Sequence, residues 1–142
     1  MRTIKIVGKG EVKNRGSKFY SFSHHIDNLE QYRSLISFYR AEFPEASHVS
    51  SAYRLVIGAR IDEHASDDGE PKGSAGQPIL NQLKRNELLN CATFVIRIFG
   101  GTLLGIPGLI DSYSNAALIS IDKSRIIIYK EMRTIKIRYT YE

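Results

Sequence analysis

The sequence has no tryptophan and only one cysteine, Cys91, among its 142 residues. A single cysteine excludes an intrachain disulfide and any site built from several thiolates, and it fits a reducing compartment. No apolar run reaches the roughly 20 residues that cross a bilayer, and the N-terminal residues lack the apolar stretch of a signal peptide. These absences predict a cytoplasmic protein with no membrane partner.

What the sequence does contain is ordinary for one folded domain. Hydrophobic residues make up 42% of the chain and charged residues 25%, which argues against extended disorder. At this length, folding buries about two-thirds of the surface of the unfolded chain. The composition therefore predicts a globular domain with a core of its own.

The net charge of +5 is concentrated at the two ends of the chain. Residues 1–20 carry six basic side chains against one acidic, and residues 123–142 carry six against two. Residues 21–122 instead have four more acidic than basic side chains. A basic surface attracts the phosphates of RNA or DNA. Lysines and arginines that keep edge strands from aggregating explain the same pattern, and this alternative stays open.

Apolar periodicity and turn residues predict alternating strands and helices. The clearest element is a helix capped by Asp27, which ends at Pro44. The later predicted elements are a strand over 51–61, a polar loop over 62–76, a helix over 77–89, a strand over 91–99 and a helix from Pro107. The 91–99 segment is almost entirely apolar, which predicts burial on both faces of a sheet.

Three carboxylates fall within four residues, at Asp67, Asp68 and Glu70. Because hard cations prefer oxygen ligands, a divalent-metal-dependent hydrolase that uses this loop is one alternative function. The spacing is not that of an EF-hand loop, and no nucleophile or general base accompanies it at a recognised spacing. We therefore assign no catalytic residue, metal ligand or cofactor, and a solvated acidic loop is the simpler interpretation.

Arg97 is a lone charge within the apolar segment that follows Cys91. An unpaired buried charge is costly, so Arg97 needs a carboxylate or backbone partner, and the acidic loop offers one. The glycine-rich run over 100–108 has neither the Walker pattern nor the dinucleotide-binding pattern. It therefore predicts sharp turns rather than a nucleotide cradle.

Two long motifs resemble the signature of the IMPACT/YigZ family. The first is DDGEPKGSAGQPIL over residues 67–80, and the second is RIFGGTLLG over residues 97–105. Both occur in the order and at the separation typical of the family, and the resemblance covers about residues 11–120. The binding residues that it implies are Asp67, Asp68, Gly69, Glu70, Gly73, Ser74, Gly76, Pro78, Arg97, Gly100, Gly101, Gly105, Gly108, Tyr113 and His48.

The resemblance implies an α/β (α+β) two-layer sandwich, with a mixed sheet and helices on one face, similar to the second domain of a small-subunit ribosomal protein. It implies a non-catalytic binding module linked to translation, whose partner is RNA, the ribosome or a ribosome-associated protein. Eukaryotic members regulate translation by binding a ribosome-associated activator of an eIF2α kinase. Residues 1–124 are expected to form the family's N-terminal domain, and residues 125–142 terminal strands that begin a ferredoxin-like second domain.

Three positions depart from the family pattern. Leu103 stands where the family has lysine, Pro107 where it has glycine, and Asp111 where it has arginine. Basic residues are thus lost at two positions, and an acid replaces one of them. If this turn binds phosphate in relatives, we expect this chain to do so poorly.

Overall fold

The computed structural model describes residues 1–128. Of the terminal strands expected over 125–142, the second, which the apolar pattern predicts over 134–141, lies outside these residues. The described elements, in chain order, are β1 (Arg2–Ile6), β2 (Gly8–Asn14), β3 (Ser17–His25), α1 (Leu29–Glu42), β4 (His48–Ile57), β5 (Arg60–Ser66), α2 (Gly76–Arg85), β6 (Cys91–Ile98), α3 (Gly105–Asp122) and β7 (Arg125–Ile128).

The strands form a five-stranded sheet in the order β2-β3-β6-β4-β5 and a separate pair of β1 with β7. All neighbouring strands of the described chain run antiparallel. The α+β class is confirmed, but the expected mixed sheet is wrong. The reason is topological: β2-β3 and β4-β5 are tight hairpins, and β6 inserts between them antiparallel to both.

Helices cover both faces of the five-stranded sheet rather than one. Phe94 and Ile96 of β6 pack in a cluster with Tyr32 and Tyr39 of α1. Cys91 and Val95, which point to the opposite face, pack in a second cluster with α2 and α3. Because β6 is buried on both faces, as its apolar run predicts, each face needs its own helical cover, and a two-layer arrangement cannot supply it.

The predicted strand over 51–61 is instead a hairpin. Gly58, with a φ of +62°, turns the chain between β4 and β5, and β5 pairs with β4 from Ser66 opposite Ser51 to Arg60 opposite Ile57. A left-handed φ is readily adopted by glycine. Residues 62–66, the first part of the expected loop, therefore belong to an edge strand, whose exposure explains their polar composition, while the rest of the loop precedes α2.

Helix α1 begins one residue later than its sequence predicts. The cap is Asn28, whose Oδ1 accepts the Gln31 backbone N–H at 2.9 Å. The Gln31 side chain reaches back to accept the backbone N–H of Asp27 at 2.7 Å, which satisfies two groups at the helix entry. The Asp27 carboxylate instead contacts His25 Nε2 at 2.7 Å.

Candidate functional site

The first signature loop, between β5 and α2, is folded around Asp67. Its Oδ1 accepts the backbone N–H groups of Ala75 at 3.2 Å and Gly76 at 2.9 Å. Its Oδ2 accepts the N–H of Gly73 at 2.9 Å. Two of these donors belong to the start of α2, where N–H groups have no partner within the helix. Asp67 therefore occupies the position that an anion would otherwise take.

Asp68 fixes the next step of the loop. Its carboxylate accepts a hydrogen bond from Arg40 Nη2 at 2.8 Å and another from the Val49 backbone N–H at 2.7 Å. Asp68 has a φ of +46° and Gly69 a φ of +90°. Two successive left-handed residues reverse the chain direction, which brings the following glutamate under the loop.

Glu70 lies in a buried cluster with Arg97 and Tyr113. Arg97 Nη1 lies 3.0 Å from both carboxylate oxygens of Glu70, and the two residues are only 5% and 8% exposed. The Tyr113 hydroxyl donates to Glu70 Oε2 at 2.5 Å. Burial, and next the adjacent carboxylate, raise the pKa of Tyr113, so this hydroxyl stays protonated. The carboxylate partner predicted for Arg97 is thus Glu70.

His48 joins this cluster from the start of β4. Its Nδ1 lies 2.7 Å from the carbonyl oxygen of Asp68. A carbonyl only accepts, so Nδ1 carries a hydrogen. Nε2 lies 3.5 Å from Glu70 Oε1. The loop therefore fixes the ring orientation, with Nε2 directed at the buried carboxylate.

The other side of Arg97 is held by Ser17 and by aromatic rings. Arg97 Nη2 donates to Ser17 Oγ at 3.3 Å. The guanidinium carbon lies 5.6 Å from the ring centre of Phe19 and 5.5 Å from that of Phe99, within the range of cation–π attraction. Arg97 Nε is buried and has no hydrogen-bond partner within residues 1–128.

The second signature loop packs directly on the β2–β3 turn. The Gly100 N–H donates to Ser17 Oγ at 3.2 Å. A Cβ atom at Gly100 would lie 2.1 Å from the carbonyl carbon of Gly16, which no side chain tolerates. The glycine is therefore required by a backbone-to-backbone contact. Gly101, Gly105 and Gly108 follow along the loop and the first turn of α3.

A pocket of about 340 Å³ lies between the two signature loops. Charged and polar side chains of His48, Glu70 and Arg97 line one part of it. The remaining side chains of its lining are apolar and belong to Pro71, Phe99, Leu103, Leu104, Ile106 and Leu109. Pockets of this kind, apolar with a few convergent polar groups, are typical ligand or partner sites.

Sequence reasoning predicted part of this pocket and missed the rest. His48, Glu70, Arg97 and Gly105 of the predicted set lie in its lining. The apolar lining was missed, although its signal is visible: large apolar residues interrupt a glycine-rich turn where polar residues are usual. The predicted residues of the α2 segment, Gly73, Ser74, Gly76 and Pro78, lie outside the lining.

Those residues of the α2 segment support the fold. Ser74 is buried, and its hydroxyl donates to the Pro71 carbonyl at 2.5 Å. A Cβ atom at Gly76 would lie 2.5 Å from the Ser66 backbone nitrogen, so α2 begins in close contact with the end of β5. Pro78 is buried in the first turn of α2, where the missing N–H costs little.

The three acidic side chains do not converge on one point. Asp67 accepts backbone N–H groups, Asp68 accepts Arg40 and a backbone N–H, and Glu70 accepts Arg97 and Tyr113. Within the described part of the chain, no group of three histidine, cysteine or acidic side chains is placed to hold a metal ion. The hydrolase alternative requires these carboxylates to share an ion, and the geometry does not support it.

A second surface lies on the opposite face of the sheet, over β2 and β3, and we name it the basic–aromatic face. Its residues come from cross-strand pairs that share one side of the ribbon: Lys9 with Phe22, Glu11 with Tyr20, and Lys13 with Lys18. Lys123 lies beside Lys9 and Tyr20 in a neighbouring cavity. All three lysines of the ribbon are exposed, so this face is positively charged.

Aromatic rings extend this face from the sheet to α1. Tyr20 stacks on Phe43 with ring centres 5.4 Å apart, and Phe22 stacks on Tyr39 at 4.4 Å. A cavity of about 450 Å³ is lined by Phe22, Tyr39 and Phe43 and by Phe38, which is 52% exposed. The rings therefore form a partly open apolar platform beside the lysines.

The chain is an α+β domain. Its antiparallel five-stranded sheet is covered by helices on both faces, and two signature loops lie side by side at one end. The sequence profile of the Impact N-terminal domain matches residues 15–121. The chain belongs to the IMPACT family, which confirms the resemblance drawn from its two motifs.

The relatives and solved structures agree with this assignment. The chain is 37% identical over 115 residues to the IMPACT family member YigZ of Escherichia coli strain K12, covering 77% of this chain. It spans 55% of the length of that relative. The crystal structure of a protein described as hypothetical superposes with a TM-score of 0.82 at 29% identity, covering 89% of this chain and 62% of the other.

A structure of the two-domain translational regulator Yih1 also shares the fold. The TM-score is 0.52 at 22% identity, and the match covers 84% of this chain and 48% of Yih1. At this identity the likeness concerns the fold alone. Independently of these comparisons, no helix within residues 1–128 is long and apolar enough to span a membrane.

Proposed function

We propose that this chain is a non-catalytic binding module of the translation apparatus that binds single-stranded RNA, such as an exposed segment of ribosomal RNA. The observation that carries the proposal is the basic–aromatic face, where lysines and partly open aromatic rings lie side by side. The link to translation is supported by the description of Yih1, a protein of the same fold, as a translational regulator.

Both components of the face suit single-stranded RNA. Successive bases stack on aromatic side chains, and each such contact is worth about 1–3 kcal/mol. Lysines neutralise phosphates and release their counterions, which makes the binding depend on salt. Lys9 and Lys123 line the cavities of the face, together with Glu11 and Glu42. Exposed Lys13 and Lys18 lie opposite each other further along the same side of the ribbon, so four lysines are offered for phosphates. The surplus of basic groups favours a polyanion.

The test is fluorescence anisotropy with a labelled mixed-sequence RNA oligonucleotide. Four lysine–phosphate contacts predict a slope of about −2.8 in log K against log salt, at about −0.7 per contact with a single strand. Between 50 and 200 mM salt, the affinity would then fall about 50-fold. The double variant Lys9→Glu, Lys13→Glu should bind more weakly. Because two of the four contacts are lost, its slope should be about −1.4 or closer to zero.

A matched control carries the same charge change away from this face. Lys72 and Arg85 are exposed and do not line the cavities of the basic–aromatic face. The double variant Lys72→Glu, Arg85→Glu should keep a slope close to that of the unmodified chain. Equal losses in both double variants would show that only net charge matters, and no binding at low salt would refute RNA as the ligand.

A further inference from the structure

We infer that the pocket between the two signature loops is a docking site for a short protein segment, which inserts one large apolar side chain and carries acidic residues beside it. This site lies on the face of the sheet opposite the basic–aromatic face. It therefore goes beyond the proposed RNA binding and gives the module a second partner.

The rim of the pocket is apolar and exposed to solvent. Leu103 is 83% exposed, Ile106 52% and Phe99 48%, although all three line the same cavity. Exposed apolar side chains that are clustered, rather than scattered, mark interaction sites. Burying these three side chains under a partner would remove them from water, which drives protein association.

The size of the cavity limits what can enter it. A volume of about 340 Å³ lies at the small end of the range for ligand pockets. It suits one large side chain with part of its backbone, while the rest of the segment crosses the exposed rim. Interfaces of this type concentrate their binding energy in one buried anchor surrounded by contacts that exclude water.

Donor groups in the lining suit the backbone of such a segment. Helix α3 starts at the pocket, its cap Leu104 makes no side-chain hydrogen bond, and its first turn contains no acidic residue. The N–H groups of this turn have no partner within the helix. Carbonyl oxygens of a bound segment would satisfy donors of this kind.

The charges around the pocket favour an acidic segment. The Glu70 carboxylate is already paired with Arg97, so it adds little net negative charge to the pocket. Exposed Lys72 follows the lining residue Pro71, and exposed Arg15 lies on the turn that packs against the second loop. The acidic residues of α3, Asp111 and Asp122, both lie beyond its first turn. Acidic residues that flank the anchor would meet the two basic side chains.

The experiment uses a fluorescein-labelled octapeptide with a central phenylalanine flanked by aspartates. Two matched peptides carry alanine in place of the phenylalanine, or lysines in place of the aspartates. We expect the phenylalanine–aspartate peptide to bind saturably, and each matched peptide to bind more weakly. Truncation of the anchor should raise the dissociation constant on the order of 30-fold.

Variants of the chain test whether the peptide binds at the pocket. Leu103→Asp and Ile106→Asp change exposed side chains, so the fold should persist, and we expect each to abolish peptide binding while leaving RNA binding unchanged. The matched control is Ile61→Asp, on the exposed edge strand β5, where the side chain is 47% exposed. Absence of peptide binding, equal binding of the alanine or the lysine peptide, or an equal loss with Ile61→Asp would overturn the inference.

Discussion

Replacing Glu70 by glutamine tests the buried ion pair beneath the pocket. Both Glu70 and Arg97 are almost completely buried, so water does not screen the interaction. Removing one partner of a buried pair costs about 3–5 kcal/mol, because the other charge stays buried without compensation. Glutamine retains one oxygen that can accept from Arg97 or Tyr113, so we expect a loss near the lower end, about 3 kcal/mol.

The free energy of unfolding is measured by urea denaturation, followed by circular dichroism. With a slope of about 2 kcal/mol per molar urea, the Glu70→Gln variant should unfold at a midpoint about 1.5 M lower. A matched control is Arg40→Gln, which breaks the ion pair with Asp68 at 2.8 Å. Because Arg40 is half exposed, this change should cost less than about 1 kcal/mol.

A triple variant separates the ion pair from the packing around it. In Glu70→Leu, Arg97→Met, Tyr113→Phe, both charges of the ion pair and the Tyr113 hydroxyl are removed together, so neither charge is left buried without its partner, while His48 and Ser17 are unchanged. Such replacements are often neutral or stabilising, and we expect the triple variant to be more stable than Glu70→Gln. A loss below about 1 kcal/mol in Glu70→Gln would refute the reasoning, since it would mean that water compensates the Arg97 charge.

Two further predictions concern the glycine contact and the partly buried His24. Gly100→Ala forces a Cβ to within 2.1 Å of backbone and should cost at least about 3 kcal/mol in thermal unfolding. Gly101 has a φ of +88°, and an added Cβ there would meet no atom within 4 Å, so Gly101→Ala should cost only about 1–2 kcal/mol. Equal losses of stability in the two variants would show that the close backbone contact at Gly100 does not matter. Burial lowers the pKa of His24 to about 4, so the folded chain binds fewer protons than the unfolded chain between pH 6.5 and 4. The free energy of unfolding therefore has its full contribution from the neutral His24 ring above pH 6.5. It falls by on the order of 2 kcal/mol as the pH is lowered to 4, after allowance for the partial exposure of the ring. If the His24→Gln variant shows the same dependence of unfolding free energy on pH as the unmodified chain, the prediction is refuted.

The sequence by itself determined the features that depend on neighbouring residues. The apolar run of β6 predicted burial on both faces, and the lone Arg97 within it predicted a carboxylate partner. The two signature motifs were sufficient to recognise the family. These inferences succeed because periodicity, the cost of burying a charge and motif spacing are all written along the chain.

Only the tertiary structure decided which residues meet. In the sequence, Asp67, Asp68 and Glu70 are equivalent candidates for Arg97, and the left-handed backbone at Asp68 and Gly69 selects Glu70. The same is true of the antiparallel sheet, of the helices on both of its faces and of the apolar lining of the pocket. Each depends on contacts between segments distant in the chain, and local preferences do not specify how such segments pack.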